Sequence, residues 1–134
     1  MQLGPVLAAV LAAILVLPAI APAGAQSLSP MRRDGTTPSD IKGFRLVVGN
    51  PYRQRMTFVA VPMDPSFEHP VPGAAASPAE FRLAPGASRP VLLQFRVDTT
   101  SKERTIGLCI YPKGLEGPVL PRVCGTYTGR LIGG

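Results

Sequence analysis

Proline and glycine recur so often after residue 25 that no long regular element can form. From Gln26 onward, the longest stretch free of both is Val91–Ile106. Proline fixes φ and removes a backbone donor, and glycine favours turns over helix and strand interiors. A long-helix protein is excluded on this ground alone. The stretches between the breaks are too apolar for a wholly disordered chain, so they must be short packed elements.

Their periodicity says which kind. In Val91–Val97, Val91, Leu93, Phe95 and Val97 share one face, and Leu92, Gln94 and Arg96 share the other. Such alternation marks a half-buried strand. Shorter strands are expected at Phe44–Val48, ended by Gly49-Asn50-Pro51, at Met56–Val61, ended by Pro62, and at Phe81–Leu83. Ile106, Leu108 and Ile110 alternate in another, and the last runs from about Arg122 to Leu131. Asp64–Pro78, Asp98–Glu103 and residues 112–121 read as loops, and Ala84-Pro85-Gly86-Ala87 as a turn. No segment sustains a 3.6-residue period and no internal repeat is visible. The expectation is an all-β antiparallel sandwich of six or seven strands over residues 41–134. Residues 26–40 form a polar leader with room for one short edge strand.

Residues 1–25 carry no charged side chain. Val6–Ile20 is apolar except for Pro18, and Ala21-Pro22-Ala23-Gly24-Ala25-Gln26 follows. Small side chains at Ala23 and Ala25 suit a signal peptidase, so a signal peptide cleaved before Gln26 is expected. The run is short for a span of about 20 residues and contains Pro18. Only the terminal amine supplies positive charge ahead of it. The reading is a bacterial protein that is periplasmic or secreted. In an oxidising compartment, Cys109 and Cys124, the only two cysteines, are expected to form one disulfide. Both lie opposite their strands' main apolar positions, which suits a bridge on the outer face of an antiparallel hairpin. A closed segment of this length stabilises by about 3 kcal/mol in the chain-entropy account.

No catalytic constellation is visible. His69 is the only histidine and sits in a proline-flanked loop with no evident orienting partner. Asp64, Glu68 and His69 offer little as a metal set, the acids are scattered, and no glycine loop opens a helix. The chain reads as a non-enzyme with no catalytic, metal or cofactor site.

The formal charge is +6, and 11 of the 14 cations are Arg. Alternation places Arg45, Arg82, Arg96 and Arg130 outward. Arg45, Arg96 and Arg130 are the candidates for binding an anionic partner such as a lipid A phosphate, an acidic glycan or an anionic headgroup. A plain solvated surface is the competing reading. Export argues against nucleic acid, and the aromatics lie mostly at inward parity, which leaves no stacking platform.

The segment Phe44–Ile110 resembles the immunoglobulin-like domain of pilus periplasmic chaperones (their N-terminal domain) and major-sperm-protein-type proteins. A strand ends in Asn50-Pro51 and the strand Met56–Val61 follows at once. Pro78-Ala79-Glu80-Phe81-Arg82-Leu83-Ala84-Pro85-Gly86-Ala87-Ser88 is similar to the family's P-x-x-F-x-L-x-P-G-x-S stretch. Lys102-Glu103-Arg104-Thr105 is similar to its charged lead-in to an apolar strand. The resemblance implies an immunoglobulin-like sandwich that binds another envelope or pilus-type protein by strand or face pairing, without catalysis. The chain departs from the family at Gly125 and Gly129, where a donor strand presents large apolar residues. Arg32, Arg33 and Arg130 match the family's cleft cations only loosely.

Overall fold

The computed structural model describes residues 26–114 and 121–132. The expected signal peptide lies outside them. Among the described residues there is no helix. Nine strands form: β1 (Ser27–Ser29), β2 (Arg32–Thr37), β3 (Ile41–Gly49), β4 (Met56–Met63), β5 (Ala74–Ser77), β6 (Glu80–Leu83), β7 (Ser88–Arg96), β8 (Glu103–Pro112) and β9 (Val123–Leu131). They make two sheets, in the orders β1-β3-β7-β5 and β2-β9-β8-β4-β6.

The sandwich expectation holds, but the strand count rises from six or seven to nine. The polar leader contributes two strands rather than one. β1 pairs with β3 in the first sheet, and β2 pairs with β9 in the second. The β2–β9 pairing is parallel, against the antiparallel expectation. Pro30 stands between the two strands, where the chain changes sheet. Ala74–Ser77, expected within a loop, forms β5 against Leu92–Phe95 of β7. Its Ala-Ala-Ala-Ser sequence has too little contrast between alternate positions to reveal a strand.

β4 also runs through Pro62, which was expected to end it. The Ala60 N–H is donated to the Ala79 carbonyl, so Ala60 and Pro62 direct their backbone groups away from β8. Past the end of β6, that side requires no donor from residue 62, and proline is tolerated at such an edge. The Pro62 carbonyl accepts from Val71 N–H at 3.2 Å.

The core follows from the alternation. Phe44, Leu46 and Val48 of β3 and Val91, Leu93 and Phe95 of β7 face Met56, Phe58 and Ala60 of β4, Ile106, Leu108 and Ile110 of β8, and Tyr127 of β9. Each fully buried large apolar side chain contributes about 1.5–3 kcal/mol by leaving water. Phe44 packs against Phe95 and Tyr127 at centroid distances of 6.0 and 5.8 Å, tying the two sheets together.

Two polar anchors sit inside this core. Asn50, 2 % exposed, donates its side-chain amide to the Gln54 and Leu83 carbonyls, both at 3.0 Å, and to the Ala84 carbonyl at 3.3 Å. Its side-chain oxygen accepts from Tyr52 N–H, and its backbone pairs with Gly86 and Ala87. Asn50 thus joins the Asn-Pro turn to the Pro-Gly turn, where Gly86 adopts φ +72°. The buried Tyr127 hydroxyl donates to the Pro30 carbonyl at 2.6 Å and fixes the chain where β1 gives way to β2.

Candidate binding surfaces

Backbone groups left unpaired at sheet edges are the first feature through which such a sandwich can bind. β2 covers β9 only from Thr126 to Leu131, so Val123–Gly125 lie beyond its pairing. Thr126 donates its N–H to the Met31 carbonyl on the β2 side. Cys124, two residues earlier, therefore directs its own N–H and carbonyl to the same side, where none of the described strands pairs with it. Exposed Met31 stands beside this opening, and the Gln26 amide closes its upper end by donating to the Ile110 and Pro121 carbonyls. Tyr52 holds Gln26 in turn through its hydroxyl, at 3.4 Å.

Cys109 and Cys124 are register partners on β8 and β9 and are joined by a disulfide. Their Cα atoms are 4.1 Å apart. The backbone direction at Cys124 makes this a non-hydrogen-bonded pair, in which opposing strands approach closest. Both cysteines sit at outward parity, yet Cys109 is fully buried. The neighbouring outward positions Met63 and Gly107 are buried too, and the Phe67 ring lies on Gly107. The loop 64–69 folds over this face. Arg122 donates to the Phe67 carbonyl at 2.7 Å and to the Tyr111 hydroxyl at 2.9 Å, which latches the loop to the start of β9.

Asp64, Glu68 and His69 serve that loop's architecture. The Asp64 carboxylate accepts from the Ser66 hydroxyl and from the backbone N–H groups of Glu68 and His69. The Glu68 N–H, with help from Ser66, holds the carboxyl below its ordinary value of 3.8. His69 is exposed. Among the described residues, no three His, Cys, Asp or Glu side chains come together to hold a metal.

The three candidate arginines are not brought together. Arg45 lies on the outer face of the first sheet with no carboxylate in ion-pairing range among the described residues. Arg96 shares that face but pairs with Asp40 at 3.0 Å. Arg130 is on the second sheet, bound to Asp34 at 3.4 Å and Glu103 at 3.5 Å. Two of the three thus spend their charge within the protein. Sequence reasoning missed Arg89. Its register partner is inward-facing Val48, so alternation marks it as inward, yet its guanidinium turns onto the Phe81 ring at 5.6 Å.

No protein-family model matches the sequence, and no protein with a curated description matches it. Solved structures do match the fold. The E. coli chaperone DraB superposes with a TM-score of 0.65 at 16% identity, over 81% of this chain and 55% of that one. A structure of Salmonella enterica SafA pilin in complex with the SafB chaperone gives 0.64 at 18% identity, over 81% and 55%. The fold is that of the pilus-chaperone immunoglobulin-like domain. The ASH/PapD-like domain of human CEP192 shares it, at TM-score 0.57 and 13% identity, over 81% of this chain and 85% of that domain. The chain spans about half the length of the pilus chaperones it matches.

Proposed function

We propose that this chain is an exported, non-enzymatic binding module that pairs a strand edge with an extended segment of another envelope protein. The observation that carries the reading is the edge of β9 at Cys124, whose backbone is directed away from β8 and meets no strand among the described residues. A partner strand added there gains main-chain hydrogen bonds without any rearrangement of the sandwich. The likeness to chaperone folds supports the reading, because the SafB and CsuC–CsuE structures are complexes with a pilin and a tip adhesion subunit.

The partner's side chains do not enter this chain's core through β9. Tyr127 already fills its inward position, and Gly125 and Gly129 present nothing large. Affinity then comes from the backbone ladder and the exposed rim at Met31, not from a donated row of apolar side chains. Export of the module rests on residues 1–25, and the N-terminal mass of the protein recovered from the host envelope tests it: a chain beginning at Gln26 is expected. Photo-crosslinking from position 31, whose exposed side chain stands beside that edge, tests the binding role in intact cells. A discrete adduct with one envelope protein is expected, together with slowed amide exchange at Cys124 in the isolated complex. Adduct formation without that slowing would exclude strand pairing.

A further inference from the structure

A groove beside the edge strand β5 is lined by two arginines, one from each side of the first sheet. Arg45 of β3, Arg89, Pro90 and Leu92 of β7, and Ser77 and Pro78 line it. No acidic residue is among them. Among the described residues, neither Arg45 nor Arg89 has a carboxylate in ion-pairing range. Arg89 is steadied over the Phe81 ring, and its Nε donates to the Pro90 carbonyl at 3.3 Å.

Arg45 stands on the outer face of the first sheet, which holds three of the five large apolar side chains exposed among the described residues: Val47, Leu92 and Ile41, at 44, 42 and 39 %. The register interleaves them with the cations. Leu92 is opposite Arg45, Ile41 opposite Arg96, and Val47 opposite Pro90. The chemistry of the face selects among occupants. A second copy packed face to face would set Arg45 and Arg89 against their own kind. An acidic polypeptide would answer the guanidiniums but not the apolar side chains between them. A phosphate-bearing lipid surface answers both, with charge at the headgroup level and hydrocarbon just below.

We propose that this face docks on an anionic lipid surface, with a headgroup phosphate held by Arg45 and Arg89 and with Leu92 and Val47 reaching the acyl boundary. Planar guanidiniums suit phosphate oxygens, and each cation near an anionic surface strengthens binding about fivefold. The proposal uses a different surface from the β9 edge, so either can fail alone.

Co-sedimentation of the envelope-purified protein with vesicles tests it. Vesicles of phosphatidylcholine containing roughly a third phosphatidylglycerol should bind the protein at low salt, and pure phosphatidylcholine should not. Arg45→Gln with Arg89→Gln should weaken binding about thirtyfold. Arg45→Gln alone, which leaves the Phe81 contact intact, should weaken it about fivefold. Arg130→Gln, on the other sheet, should bind as the parent does. Absence of binding to the anionic vesicles would overturn the proposal, and so would equal binding by the parent and the double variant. Capture by polyglutamate without capture by vesicles would also overturn it and assign the groove to an acidic polypeptide.

Discussion

The Tyr127 hydroxyl occupies the space that a side chain on Gly125 would need: a β-carbon there would lie 2.4 Å from the hydroxyl oxygen and 2.7 Å from the Met31 carbonyl. The two residues share the inward face of β9, and the glycine lets the tyrosine reach Pro30. Gly125→Ala should therefore destabilise the fold by about 1–3 kcal/mol through overpacking. Tyr127→Phe should cost about 1–2 kcal/mol by stripping the Pro30 carbonyl of its donor. Because the two changes act on one contact, the double variant should lose less than the sum, as a denaturation cycle would show.

Asn50 supports a second prediction. Its amide donates to the Gln54 carbonyl after the Asn-Pro turn and to the Leu83 and Ala84 carbonyls before the Pro-Gly turn. Asn50→Ala should lower stability by about 2–4 kcal/mol, since the buried Leu83 carbonyl and the part-buried Gln54 carbonyl and Tyr52 N–H lose their side-chain partner. Urea unfolding measures this directly, and a loss under about 0.5 kcal/mol would show that the Asn-Pro and Pro-Gly turns hold without it.

The disulfide gives a third. Reduction should raise the mass of the exported protein by about two daltons, one hydrogen for each sulfur. Cys109→Ser should lower stability by about 3 kcal/mol, as the closed loop implies. Both cysteines are in the bridge, so the oxidised protein has no thiol for a thiol reagent to label. An unchanged mass after reduction would refute the bridge.

Acid should loosen the loop 64–69 before it unfolds the sandwich. The folded protein holds the Asp64 carboxyl below its ordinary 3.8, chiefly through the Glu68 N–H. A depressed carboxylate value means that its contribution is complete above 3.8 and is lost as pH falls through the lower, folded-state value. Amide shifts of Glu68 and His69 should stay constant down to about pH 4 and move only below it.

Sequence alone conveyed the class of fold and most of its core. Val91, Leu93 and Phe95 alternate against charged and polar neighbours, and the structure buries all three. The misses have physical causes. Ala74–Ser77 gives alternation nothing to act on. The polar residues Arg32–Thr37 form a strand because β9 offers them a backbone partner, and backbone pairing leaves no mark in composition. Pro62 continues its strand because of which way its nitrogen faces. The binding surfaces were less legible. Arg96 and Arg130 look as free as Arg45 in sequence, and only folding brings Asp40, Asp34 and Glu103 to them. Arg89 was hidden by its inward parity. The open edge at Cys124 depends on where β2 begins, which no single residue announces.

Photo-crosslinking from position 31 in intact host cells, with position 101 as the distant control, decides whether the β9 edge meets an envelope protein. A discrete adduct between position 31 and one envelope protein is expected, with none from position 101. Recovery of uncrosslinked chain alone from both positions would contradict it.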